Sequence, residues 1–235
     1  YEFSLIGSSH SEKGKPCQDA HKIGHLDNNW IIAAISDGLG SCKFSDIASK
    51  IAVNTSIEYI SERFHTTQNG KEHQTVLDIL KESFNSAQQR IINESEKRGD
   101  ELSEFDCTLT ALLYDGNDIY YAHCGDGGII ALDEEGEYHI LTNQHRGEYS
   151  NMVNPLRAGE SEWDFKYIEG NFASVSLMTD GLFDYAVNPL LKRYHTEPIW
   201  IDFIAPFMQI DLFRAMDVSV EKRTKILNLI RKLKD

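Results

Sequence analysis

Four acidic turns punctuate the apolar segments of this chain: Gln18-Asp19-Ala20, Ser36-Asp37-Gly38, Gly125-Asp126-Gly127-Gly128 and Thr179-Asp180-Gly181. Asp37 and Asp180 come just after the runs Ile31 to Ile35 and Val175 to Met178, and Asp126 follows Ile119 to Cys124, so each carboxylate falls where a strand would stop. A second carboxylate is poorly tolerated at a half-buried strand end: at ~4 Å and an effective dielectric of ~20, the pair repels by roughly 4 kcal/mol. A divalent cation reverses that sign. Hard ions such as Mg²⁺ and Mn²⁺ take oxygen ligands and keep several waters, so a few carboxylates and a carbonyl suffice, with no His or Cys cage. Two such ions about 3.5–4 Å apart can hold a bridging water, lower its pKa and stabilise both the attacking and leaving oxygens of an in-line displacement at phosphorus. Glycine beside Asp37, Asp126 and Asp180 lets backbone approach closely. Together the turns point to one divalent-metal site.

The elements that must position these turns can be read from periodicity. Tyr1 to Ile6, Ala20 to Ile23 and Trp30 to Ser36 read as short strands. Ser45 can cap a helix running to about Phe64, with Ile47, Ala48, Ile51, Ala52, Thr55, Tyr59 and Ile60 at helical spacing. After the polar loop His65 to His73, a second helix runs from about Thr75 to Arg98 with Leu80, Phe84, Ala87 and Ile91 as its apolar stripe. From Cys107 the pattern is Thr108 to Tyr114, Ile119 to Cys124, Ile129 to Leu132 and Tyr138 to Leu141, which predicts an antiparallel meander. Asn143 to Asn171 reads as a long irregular excursion. The strand Ala173 to Thr179 precedes helical segments, the clearest being Trp200 to Met208 and Glu221 to Leu233. This order is α+β, not alternating βαβ.

Composition narrows the function. At 235 residues and 41% hydrophobic, the chain is long enough for one large domain with its own core. A formal charge of −14 repels a phosphate backbone, so nucleic acid is not expected as a partner. Its one basic stretch, Glu221 to Asp235, reads as a solvated helix face. Cys17, Cys42, Cys107 and Cys124 show no C-x-x-C spacing, which predicts reduced thiols in a cytoplasmic protein. Neither a membrane span nor a signal segment is expected. Ile23, Ala48, Leu113 and Ile130 stand sixth after the four cysteines, so there is no C-x₅-R loop for a thiolate mechanism. A D-x-D nucleophile turn and a G-x₄-G-K-[ST] phosphate loop are also lacking.

Cys17-Gln18-Asp19-Ala20, Ser36-Asp37-Gly38-Leu39-Gly40-Ser41, Cys124-Gly125-Asp126-Gly127-Gly128 and Thr179-Asp180-Gly181-Leu182, in this order, resemble the metal-dependent serine/threonine phosphatases of type 2C, the PPM family. Gly7-Ser8-Ser9-His10, Pro16-Cys17-Gln18-Asp19-Ala20 and Gly147-Glu148-Tyr149-Ser150-Asn151-Met152 are similar to its bacterial PphC-like branch. The resemblance implies a four-layer α-β-β-α sandwich of two antiparallel β-sheets flanked by helices, with the metals in a cleft at one end. It implies a phosphatase domain over residues 1–235 that acts on phosphoserine and phosphothreonine through a water activated by two Mn²⁺ or Mg²⁺ ions. Carried over position by position, Asp37 bridges both ions, Gly38 offers its carbonyl, Asp180 binds one ion, Asp126 matches a third metal position, and Asp19 holds metal directly or through water. The implied partners are a phosphorylated protein substrate, a protein kinase and a von Willebrand A-domain protein.

The chain departs from the family pattern in several places. Gln18 replaces a common Glu, removing one charge from the site. Gly14 falls near the position where many members grip the phosphate with Arg, leaving Lys13, Lys15 and Arg146 as candidate replacements. Leu39 replaces a His that follows Asp-Gly in many members, which makes His10 the candidate general acid. No late Asp-Asp or Asp-Asn leads into a final strand, so the expectation is a domain lacking its last strand and last metal Asp. The second reading is a pseudophosphatase that binds a phosphoprotein or kinase without turnover. Trp163 and Trp200 read as packing residues, and Cys42 and Cys107 as core thiols.

Overall fold

The computed structural model describes residues 2, 4, 6, 14, 16–66, 72–143, 153–188 and 198–208. Strands β1 (Ala20–His25), β2 (Ile31–Ser36), β3 (Leu109–Tyr114), β4 (Ile119–Cys124) and β7 (Asp164–Ile168) form one antiparallel sheet in the order β1-β2-β3-β4-β7. A second antiparallel sheet has the order β6-β5-β8, from β5 (Gly128–Asp133), β6 (Tyr138–Ile140) and β8 (Phe172–Met178). Helices α1 (Ser45–Thr66) and α2 (His73–Arg98) cover the first sheet, and the short α3 (Asp180–Ala186) and α4 (Ile201–Met208) cover the second.

Strand alternation produces these layers, because successive side chains leave opposite faces. In β3, Leu109, Ala111 and Leu113 join the cluster under α1 and α2, while Leu112 turns toward the second sheet. In β5, Ile130 and Leu132 pack under α3 and α4, while Ile129 and Ala131 meet Leu112, Ile119 and Tyr121 between the sheets. The α2 stripe is Leu80, Phe84, Ala87 and Ile91, all buried. Three apolar interfaces thus separate four layers, the sandwich expected from the resemblance.

Four local expectations are corrected. The four strands after Cys107 are not one meander: β3 and β4 belong to the first sheet, β5 and β6 to the second. The chain changes sheets across Gly125-Asp126-Gly127, and Gly125 makes this possible with φ +127°, a conformation that a side chain resists. The excursion after Asn143 contains β7, which pairs with β4. Trp163, just before it, is buried against Phe84 with ring centroids 5.5 Å apart, so it packs as expected. Ser45 does not cap α1: its hydroxyl donates to the Cys42 carbonyl, and the Phe44 carbonyl accepts the first helical N–H, from Ala48, at 3.0 Å. Cys107 is buried as expected, whereas Cys42 is only half-buried. Half of the expected strand Tyr1 to Ile6 (Tyr1, Phe3 and Leu5) and the helix from Glu221 lie outside the described residues.

Candidate active site

Strand register brings the acidic turns to a common end of the sandwich. Ala20 pairs with Ser36, so Asp19 and Asp37 each lie one residue beyond the same end of neighbouring strands β1 and β2. Gly128 pairs with Met178, so Asp126 and Asp180 lie two residues beyond the matching end of β5 and β8. The two sheets then converge, and the Asp37 carboxyl hydrogen-bonds with both Asp19 and Asp180. Burial, followed by the charges of Asp19 and Asp180, holds Asp37 far above the usual carboxylate range.

Beside them is a cleft of about 560 Å³ between β1–β2 and β8, with Asp19, Asp37 and Asp180 in its wall and Ile23, Ile35 and Val175 among its apolar lining. Cys17 lines it too. Burial, reinforced by the Asp19 and Asp37 charges, pushes that thiol upward, which disfavours a thiolate.

The loop after β2 is held on both sides. The Thr108 N–H donates to the Asp37 carbonyl at 2.8 Å, and the Asp37 N–H donates to Thr108 Oγ1 at 2.9 Å. The Gly38 N–H donates to the Gln18 carbonyl at 3.2 Å and the Leu39 N–H to the Asp106 carbonyl at 3.0 Å. A Cβ on Gly38 would lie 2.5 Å from the Ser45 carbonyl oxygen and 2.9 Å from that of Gln18, so only glycine fits without backbone movement.

The donors present fit a hard cation. They are carboxylate, amide and carbonyl oxygens, the set that Mg²⁺ and Mn²⁺ favour. Among the described residues, no three His, Cys, Asp or Glu side chains already stand spread around an ion; the aspartates are closed upon one another instead. Gln18 adds an independent sign. Its Nε2 donates to Ser45 Oγ, whose own proton goes to the Cys42 carbonyl, so this pairing assigns the amide orientation and leaves Gln18 Oε1 buried with no hydrogen-bond partner among the described residues. A buried acceptor left this way costs about 1–3 kcal/mol unless something fills it.

Of the residues singled out from sequence, Asp19, Asp37 and Asp180 come together, with Gly38 in the same loop. Asp126 lies at the same end of the second sheet, two residues before β5. His10, Lys13, Lys15 and Arg146 lie outside the described residues. Sequence reasoning missed Thr108, which anchors Asp37, and Asp106 and Arg157, which make a two-pronged ion pair beside it. Asp-Cys-Thr opening an apolar strand directly opposite an Asp-Gly turn was the available signal.

Residues 6–218 match the family model described as protein phosphatase 2C. The chain belongs to the protein phosphatase 2C family. It is 26% identical over 210 residues to serine/threonine-protein phosphatase 3 of Escherichia coli strain K12, covering 87% of this chain and 79% of that protein. In fold it is similar to the serine/threonine phosphatase of S. agalactiae, with a TM-score of 0.66 and 16% identity over 98% of this chain and 91% of that one. It is also similar to the catalytic domain of the phosphatase PstP, solved in complex with 2 manganese ions, with a TM-score of 0.63 and 17% identity over 98% of this chain and 89% of that one.

Proposed function

We propose that this protein is a metal-dependent phosphoprotein phosphatase that hydrolyses phosphoserine and phosphothreonine by attack of water. One observation carries the reading: Asp19, Asp37 and Asp180, from three separate turns of a type 2C chain, meet in the wall of one cleft. Asp37, Asp180, Asp19 and the Gly38 carbonyl are the residues to hold two Mn²⁺ or Mg²⁺ ions, with Asp126 for a third. Such a pair supplies Lewis-acid polarisation of the phosphoryl group and a water of lowered pKa as nucleophile.

The chain's own groups do the rest. Thr108, Gln18 and Asp106 fix the backbone of the Asp37–Gly38 loop by the hydrogen bonds described above, so the carbonyl of Gly38 and the Cα of Asp37 are held in place while the side chain turns to an ion. Leu39 has no transferable proton, so His10 is assigned to protonate the leaving Ser or Thr oxygen, a role typically worth ~10²–10⁴ in rate. Lys15 and Arg146 are assigned to the phosphate. Partners on this reading are a phosphorylated protein, a kinase and a von Willebrand A-domain protein, in the cytoplasm. No helix among the described residues is long and apolar enough to cross a membrane.

A second reading, a phosphoprotein-binding module without turnover, is favoured by the neutral Gln18 amide beside the aspartates. Mn²⁺-dependent hydrolysis of p-nitrophenyl phosphate and of a phosphothreonine peptide separates the two. The phosphatase reading expects turnover by the wild type and at least a ~100-fold loss in Asp37→Asn and Asp180→Asn. Equal rates in all three proteins would overturn it, and Mn²⁺ binding without wild-type turnover would favour the binding module.

A further inference from the structure

We propose that Arg157 is a positioning residue for the Asp37–Gly38 loop, acting through its ion pair with Asp106. This inference rests on the reading of that loop as metal-holding. Arg157 Nε and one terminal guanidinium nitrogen donate to the two Asp106 carboxylate oxygens at 2.7 and 2.8 Å. A bidentate fork fixes direction as well as distance, which a single-point ammonium does not. Asp106 is 7% exposed, so its carboxylate has little water to turn to instead.

The backbone of the same residue accepts the Leu39 N–H at 3.0 Å. That N–H belongs to the peptide unit whose carbonyl is Gly38's. No cis peptide bond occurs in the described chain, so the planar trans unit points its carbonyl opposite to its N–H. Fixing Asp106 therefore fixes the direction of the Gly38 carbonyl, away from the 106–108 segment. A parallel route supports the first: Gln88 on α2 donates to the Leu156 carbonyl at 3.0 Å, and the Leu156 N–H donates to the Cys107 carbonyl at 2.8 Å. Cys107 in turn bridges Gly38. Arg157 thus follows directly on Leu156, the residue through which α2 reaches the loop.

The test is calorimetric titration of Mn²⁺ into the metal-stripped chain. Groups that orient metal ligands are typically worth ~10–100-fold in affinity. Arg157→Ala is expected to weaken Mn²⁺ binding about tenfold, with Arg157→Lys restoring little because it cannot reproduce the fork. Asp106→Asn, which keeps the volume of the site, is expected to show a comparable loss even where Arg157→Ala folds poorly. Ile60→Val, a small cavity at a fully buried position in the last two turns of α1, serves as the control: it lowers the melting temperature and leaves Mn²⁺ affinity unchanged. Wild-type affinity in both Arg157→Ala and Asp106→Asn overturns the proposal while leaving the metal reading intact. A wild-type chain that takes up no Mn²⁺ overturns the metal reading itself, and this inference with it.

Discussion

At the scale of single residues, Asp37 is the group under most stress. It is buried, faces Asp19 and Asp180, and is held protonated by them in the absence of a cation. In EDTA the folded chain keeps a proton at Asp37 that the unfolded chain releases above the ordinary value of 3.8. The unfolded state then binds fewer protons, so stability falls as pH rises through neutrality, by up to about 1.4 kcal/mol per pH unit for one proton. Asp37→Asn removes the titrating group. Its melting temperature in EDTA is expected to exceed that of the wild type at pH 8 by a few degrees, its decline with pH to be shallower, and its Mn²⁺-induced thermal shift to disappear. Equal melting temperatures and slopes would contradict this electrostatic account. The carboxylates themselves were legible in sequence, because Asp-Gly after an apolar run marks a strand end. The Arg157–Asp106 pair was not, since partners 51 residues apart share no periodicity.

At the scale of elements, the passage from β4 to β5 decides how the two sheets meet. Gly125 has φ +127°, and a Cβ there would lie 2.5 Å from Thr108 Cγ2. Thr108 is also the residue whose hydroxyl accepts the Asp37 N–H. Gly125→Ala therefore combines backbone strain with a clash, expected to cost about 2 kcal/mol or more. The melting temperature should drop by roughly 4–8 °C for a chain of this size. Mn²⁺ affinity should fall with it, because the Asp37 anchor is displaced; an unchanged melting temperature would show that the turn is not strained. Sequence periodicity found the strands on either side but joined them as a meander, because alternation identifies a strand without saying which sheet it enters. Strand β7 was overlooked for a different reason: Asp164-Phe165-Lys166-Tyr167-Ile168 is a five-residue edge strand whose only alternating apolar pair, Phe165 and Tyr167, packs on the helix-covered core, too short a pattern to stand out inside a long polar excursion.

At the scale of the whole molecule, periodicity supplied an α+β order of strands and helices, and the four-layer arrangement came from the resemblance that the acidic turns carry. How those remote turns close on one cleft was not legible, because periodicity is silent on contacts between distant segments. The charge of −14 acts at this scale too. An acidic surface raises the local concentration of cations and of basic peptides, with effects of ~10-fold or more on association at low ionic strength. A phosphothreonine peptide flanked by Lys is therefore expected to show a kcat/KM about tenfold above one flanked by Glu at low salt, the gap closing as salt screens the field. A preference independent of salt would assign selectivity to local contacts instead. The central claim remains the convergence of strand-end aspartates from both sheets on divalent ions. Anomalous diffraction at the manganese edge, from crystals grown with Mn²⁺, tests it most directly. The account predicts manganese peaks within ligand distance of Asp37, with Asp180 and the Gly38 carbonyl in contact, whereas a saturated crystal without a peak among Asp19, Asp37 and Asp180 would contradict it.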